Sequence, residues 1–322
     1  MYRLFLTIFL LVSFTVVACN TDDEFDYSSV FDEKDTVEIS QDSMYCRILV
    51  VGNSLARDAF CYVPAIMEEL IPNLNVRMDI MYVSGNPLKT HWYYISTRLP
   101  YFTWDVYSTQ EGKWQSTNYR TSDDIVSRHK WDLVVLQEGT VNARTYEGTQ
   151  PYVSHIVDYV YSFSSDTKIA YMIIPSLPDG ASSLGVLTSD ETWAMNVSTA
   201  KRLLDEDIVS YLVSCGTAIQ NARKTPLDYY GNFGHLTYDG RHLQEGIPCL
   251  IDAYAATESI FKIMSIDSTI KNSKLKISQA WVYEKNILGR HGSVLEGSDS
   301  DYELAKECAV RSVDYPYVIT LP

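Results

Sequence analysis

The sequence predicts an α/β fold: a three-layer sandwich with a central, mainly parallel sheet. Two observations carry this reading. Short apolar runs of strand length recur along the chain, bounded by Gly, Pro, Ser or Asn, and between them lie segments whose apolar residues repeat at helical spacing. The first candidate, Cys46 to Val51, reads as a fully buried strand, and the alternation of such strands with amphipathic helices argues for a parallel sheet covered on both faces.

Cys46 to Val51 is the first such strand. The turn Gly52-Asn53-Ser54 leads from it into an amphipathic segment with Phe60, Val63, Met67 and Leu70 on one stripe, ended by Pro72-Asn73. Val76 to Val83 is the second strand, stopped by Ser84-Gly85-Asn86-Pro87, and Leu88 to Leu99 is helical. From about Tyr101 to Tyr119 the aromatic and polar residues, centred on Gln110-Glu111-Gly112-Lys113, read as a β-hairpin inserted between elements. Ser122 is the N-cap candidate of a short helix, and Asp132 to Leu136 is the third strand. Tyr152 to Phe163 gives another helix, Lys168 to Ile174 a fourth strand ending at Pro175, and Asp190 to Leu204 a further helix. From Asp267 to Pro322 periodicity is weak and turn signals are frequent, which predicts an irregular extension packed on the domain. In parallel sheets the ligand crevice lies beyond the carboxyl ends of the strands. Ser54, Gly85 and Gln137 each follow such an end.

The chain divides into four parts: a leader over 1–18, an acidic tether over 19–44, a domain over 45–265 and the extension over 266–322. Arg3 followed by the apolar run Leu4 to Val17, then Val16-Val17-Ala18 before Cys19, is the pattern of a bacterial lipoprotein signal peptide. Its apolar run is too short to span a bilayer comfortably. Lipid on Cys19 would anchor the chain to a membrane without spanning it, and the expected location is the cell envelope, at the outer membrane or surface of a Gram-negative bacterium. Asn20 to Asp26 is rich in acids, and the polar stretch behind it has little periodicity.

With 26 Lys and Arg against 41 Asp and Glu, the net charge is −15, which argues against nucleic acid as a partner. Five cysteines follow Cys19. None shows zinc-ligand spacing, so no structural metal is expected, and the chemistry of the chain's serine and histidine motifs needs no cofactor. Cys46 and Cys61 either form a disulfide or serve as small buried apolar side chains.

Two stretches nearly two hundred residues apart supply chemistry. Gly52-Asn53-Ser54 offers a nucleophile in a strand-to-helix turn, and Asp239-Gly240-Arg241-His242 offers a base and its orienter. A serine hydroxyl attacks poorly at neutral pH unless an imidazole takes its proton, and the imidazole needs a carboxylate to fix its tautomer. Ser54, His242 and Asp239 fill these three roles.

Those blocks resemble the SGNH (GDSL-like) hydrolases, in a branch found among bacterial lipoproteins, over roughly Arg47 to Phe261. The resemblance implies a flavodoxin-like fold, with Gly52-Asn53-Ser54 as the first block and Asp239 and His242 as the last, where Leu243 and Gly246 continue the run. It also implies an oxyanion hole made by Ser54 N–H, Gly85 N–H and a side-chain amide. Val141 stands where the family places its asparagine, so Gln137 is the expected amide and Asn142 the reserve. The residues and the resemblance imply hydrolysis of an acyl ester, acetyl above all, through an acyl-enzyme; location and aromatic content alone extend the expected substrate from a small acyl ester to an acylated glycan. The alternative is a weak or inactive glycan-binding lipoprotein on the same fold. Trp92, Tyr93, Tyr94, Tyr101, Trp104, Tyr107 and Trp114 either wall a sugar cleft or form core beneath the hairpin. His91, His129, His155, His235 and His291 show no metal spacing and are expected in structural or substrate-contact roles.

Overall fold

The computed structural model describes residues 44–277 and 294–321. The leader, Cys19, the tether up to residue 43 and His291 lie outside the described residues.

Seven strands form one sheet: β1 (Met44–Gly52), β2 (Leu74–Tyr82), β3 (Phe102–Ser108), β4 (Lys113–Arg120), β5 (Leu133–Leu136), β6 (Lys168–Met172) and β7 (Tyr211–Val213), in the order β4-β3-β2-β1-β5-β6-β7. β1 pairs in parallel with β2 and β5, β5 with β6, and β6 with β7. The parallel part therefore has the flavodoxin-like order, and strand order reverses at β1, beside which such sheets bind ligands.

The central strands β1, β5 and β6 are buried on both faces, as their apolar runs require, whereas the edge strand β4 leaves most of its residues exposed. Ile48 and Val50 join a core cluster with α1 (Ser54–Phe60), α2 (Val63–Leu70) and helices Cys215–Ala222 and Ile247–Met264. Leu49 and Val51, equally buried, alternate with them and point to the other layer. In that layer helix Leu88–Ser96 packs on helices Ser122–Val126 and Tyr152–Tyr161.

Three expectations change. The aromatic hairpin is not a separate insertion: β3 runs antiparallel to β2 and β4 to β3, so the hairpin forms the edge of the main sheet. Trp104, Tyr107 and Trp114 are buried beneath it, which assigns them to the core. The C-terminal region is not irregular throughout its described part, since it holds one long helix. Ser298 caps helix Asp299–Asp314 in a box with Asp301, and the helix packs on Cys215–Ala222 and Ile247–Met264. Its buried face is Tyr302, Ala305, Lys306, Cys308, Ala309, Val310 and Ser312, a mixture of small, polar and apolar residues that gives a weak apolar signal. The short helix near residue 122 is capped by Thr121, whose side chain accepts the Asp124 N–H while Asp124 accepts the Thr121 N–H. All five cysteines after Cys19 are buried thiols, so Cys46 and Cys61 follow the small-side-chain reading and not the disulfide one.

Candidate active site

The turn after β1 is built by contacts that leave only the Ser54 side chain facing outward. Gly52 lies against Gln137, where a Cβ would come within 2.5 Å of Gln137 Oε1, so any larger residue would displace that side chain. Asn53 caps α1 by accepting the Leu55 N–H at 3.1 Å, and its Nδ2 donates to Asn86 O at 3.0 Å. One side chain thus ties the nucleophile turn to the turn carrying Gly85. Ser54 opens the helix, so its N–H has no intrahelical acceptor.

The structure brings Ser54, His242 and Asp239 together. Ser54 Oγ lies 2.8 Å from His242 Nε2, and His242 Nδ1 lies 2.7 Å from Asp239 Oδ2. A carboxylate only accepts, so Nδ1 carries the ring proton and Nε2 presents a lone pair to the serine hydroxyl. Asp239 Oδ1 also accepts the backbone N–H of Arg241 at 2.9 Å and of His242 at 2.8 Å. Partial burial pushes the Asp239 carboxyl up, but the hydrogen bonds and charge of His242 outweigh it and hold the carboxyl below its ordinary range.

The turn that allows this needs Gly240, which has φ +79° and lies over Phe233, where a Cβ would come within 3.2 Å of the ring. Tyr238 stacks on the His242 ring at 5.7 Å between centroids. Asp58 Oδ2, one turn along α1 from Ser54, accepts the Leu243 N–H at 2.9 Å.

The expected oxyanion donors divide. Gly85 lines the same cleft as Ser54. Gln137 does not: it is fully buried, its Oε1 accepts the Asn53 N–H at 2.8 Å, and its Nε2 donates to Glu138 O. Its amide holds the turn from behind. Asn142 is also directed elsewhere, its Nδ2 donating to Gly148 O at 3.2 Å. Of the third block, Gly139 and Thr140 are the residues on the cleft. Neither was singled out by sequence, because a threonine in a loop carries no signal of its own. Glu138 was missed too. It is buried, and its Oε1 accepts the N–H groups of Leu88 at 2.9 Å and of Gly139 at 2.7 Å, joining the second-block and third-block loops. Burial pushes its carboxyl up to about 7.

The cleft, about 460 Å³, is lined by Asn53, Ser54, Leu55, Arg57, Asp58, Tyr82, Ser84, Gly85, Gly139, Thr140, Tyr238, Arg241 and His242. None of the seven aromatic residues considered as a sugar wall is among them; the rings that do line it are Tyr82 and Tyr238. The other described histidines are structural. His91 is buried between the carbonyls of Gly52 and Pro87, His235 bonds Asp228, and His129 and His155 pack on Trp131 and Trp92. Among the described residues no three His, Cys, Asp or Glu side chains gather into a metal site.

Comparison with known proteins places the chain. The profile of a family described as "Domain of unknown function (DUF4886)" matches residues 47–287. No curated protein matches the sequence. Among solved structures, a DUF4886 family protein from Bacteroides uniformis ATCC 8492 is 18% identical with a TM-score of 0.68, over 86% of this chain and 97% of that one. At that identity the likeness is one of fold. A protein from Slackia heliotrinireducens, proposed to be an SGNH hydrolase, is 15% identical over 67% of this chain and 99% of its own, with a TM-score of 0.45. The lipase/acylhydrolase from Enterococcus faecalis is 12% identical over 71% of this chain and 100% of its own, at 0.42. These last two scores are too low to carry an argument.

Proposed function

The chain belongs to the DUF4886 family, and from its cleft we propose that it is a serine hydrolase of SGNH type acting on an acyl ester, with acetyl as the acyl group. The observation that carries the proposal is the relay from Ser54 Oγ through His242 to Asp239, with contacts of 2.8 and 2.7 Å. His242 Nε2 takes the serine proton as Oγ attacks the ester carbonyl. The developing oxyanion receives the N–H groups of Ser54 and Gly85, each such donor contributing about 3 kcal/mol of transition-state stabilisation. The alcohol leaves with the proton from His242, and His242 then activates the water that releases the acyl group. The open, polar cleft suits a hydrophilic alcohol such as a sugar.

A fluorophosphonate probe and 4-nitrophenyl acetate test this reading. The wild type is expected to be labelled and to turn over, and Ser54→Ala to do neither while melting normally. Undiminished hydrolysis by Ser54→Ala would reject Ser54 as the nucleophile. One observation favours a second reading, a glycan-binding protein of low activity: Gln137 is committed behind the turn, which leaves two backbone donors. That reading predicts no labelling together with retention on immobilised glycan.

The leader and Cys19 support attachment to the cell envelope, at the outer membrane or surface, through lipid on Cys19. Metabolic labelling with an alkynyl fatty acid, lost in Cys19→Ala, is the expected result.

A further inference from the structure

Most charges around the cleft are already matched. Arg57 grips Asp105 with two hydrogen bonds, at 2.6 and 2.8 Å, and lies over the Tyr82 ring. Asp58 accepts from Leu243, and Asp239 is paired with His242. Arg241 differs. Among the described residues its guanidinium has no acidic partner, and its side-chain bond is a single one, from Nη2 to Ser183 Oγ at 3.0 Å. The carbonyl of the same Ser183 accepts from Arg144 Nη2 at 3.3 Å, and among the described residues Arg144 has no acidic partner either.

Two guanidinium groups thus bracket one serine, on a chain whose acids outnumber its bases by 41 to 26. They come from separate loops. Arg144 follows β5, Ser183 follows β6, and Arg241 immediately precedes His242. Arg241 is exposed and lines the cleft with Ser54. Arg144 is half-buried, and burial without a counter-charge disfavours its cation. A guanidinium offers five N–H donors in a planar fork, which matches a carboxylate and is only partly used by one serine oxygen.

We propose that Arg241, with Arg144 behind it, forms an anion subsite, and that the ester cleaved at Ser54 carries a carboxylate a few bonds from its scissile carbonyl. The proposal rests on the ester-hydrolase reading and adds the charge of the substrate. The carboxylate belongs either to the alcohol, as in an acetylated uronic acid, or to the acyl group, as in a hemiester of a dicarboxylic acid, in which case the dicarboxylic acyl group replaces acetyl. The chemistry recognised is the same.

Two matched pairs separate these sources: acetylated methyl glucuronoside against acetylated methyl glucoside, and 4-nitrophenyl hemisuccinate against 4-nitrophenyl acetate. The wild type is expected to favour the charged member of one pair by about tenfold or more in kcat/KM. That ratio should fall by about tenfold in Arg241→Gln, less in Arg241→Lys and Arg144→Gln, and also in high salt. A ratio of one or less in both pairs, or one that Arg241→Gln leaves unchanged, overturns the proposal. If no ester is turned over, the catalytic reading fails separately, and calorimetry of the Ser54→Ala protein decides the subsite. Glucuronate binding more tightly than glucose, or monomethyl succinate more tightly than methyl acetate, with the difference abolished by adding Arg241→Gln, supports the subsite; equal binding within both pairs overturns it.

Discussion

Asp58 Oδ2 accepts the backbone N–H of Leu243 at 2.9 Å, so the helix that carries Ser54 holds the residue next to His242. The two halves of the relay come from distant parts of the sequence, and this buried bond sets their spacing directly. Asp58→Ala leaves the Leu243 N–H without that acceptor, which costs about 1–3 kcal/mol. Because small displacements of a catalytic group are costly to rate, ester hydrolysis should fall by about tenfold or more. Asp58→Asn keeps an oxygen for Leu243 and should lose less of both. Urea unfolding and kcat measured on the two variants check this, and equal effects from both would refute it.

Gly52→Ala probes the turn from behind. The new methyl would press on Gln137 Oε1, the atom that accepts the Asn53 N–H. Overpacking at such a contact costs about 1–3 kcal/mol. The expected variant folds with a lower Tm and labels more slowly with fluorophosphonate, because Ser54 follows Asn53. Wild-type labelling would show that the close approach does not position the nucleophile.

Asp239→Asn should lower kcat by about 10³- to 10⁴-fold with little change in KM, because an amide no longer enforces the tautomer that leaves Nε2 free for the serine. The native carboxyl is held below its ordinary range, so the orienter stays ionised through neutral and mildly acid pH. Steady-state kinetics with a melting curve distinguish this from unfolding. A loss below tenfold would remove Asp239 from the relay.

Much of this site was legible in the sequence. A serine at the end of an apolar strand and a histidine three residues after an aspartate are local patterns, and local geometry places both at a loop mouth. The parallel strands were legible for the same reason: burial on both faces demands apolar runs. The supporting contacts were not. Asp58 to Leu243, Gln137 to Asn53, and Arg144 and Arg241 to Ser183 each join residues far apart in the chain, where no spacing rule applies. Gln137 shows the limit most clearly. Its place at a strand end is legible in the sequence, but the direction of its amide depends on Gly52 and Asn53 packing against it. Helix Asp299–Asp314 escaped because its buried face mixes Ala, Cys and Ser with Lys306 and only two larger apolar residues, Tyr302 and Val310, a pattern whose burial is set by the close approach of two other helices.

Glu138 yields a prediction about pH. Its carboxyl is buried, Oε2 has no partner among the described residues, and its folded value of about 7 lies above the ordinary 4.5. The nearby Tyr171 hydroxyl is likewise buried without a partner and is pushed up by burial and by the Glu138 charge. Between pH 4.5 and 7 the folded protein therefore holds a proton that the unfolded chain has released. Stability contributed by Glu138 is full below 4.5, falls as pH rises through that window, and is constant above it. The change amounts to at most about 3 kcal/mol. Glu138→Gln cannot titrate, yet its amide oxygen can still accept from Leu88 and Gly139. Across the window the wild type should therefore lose stability relative to the variant, seen as a narrowing and then reversal of their difference in Tm. Parallel Tm curves from pH 4.5 to 8 would show that this carboxyl is not protonated in the folded protein.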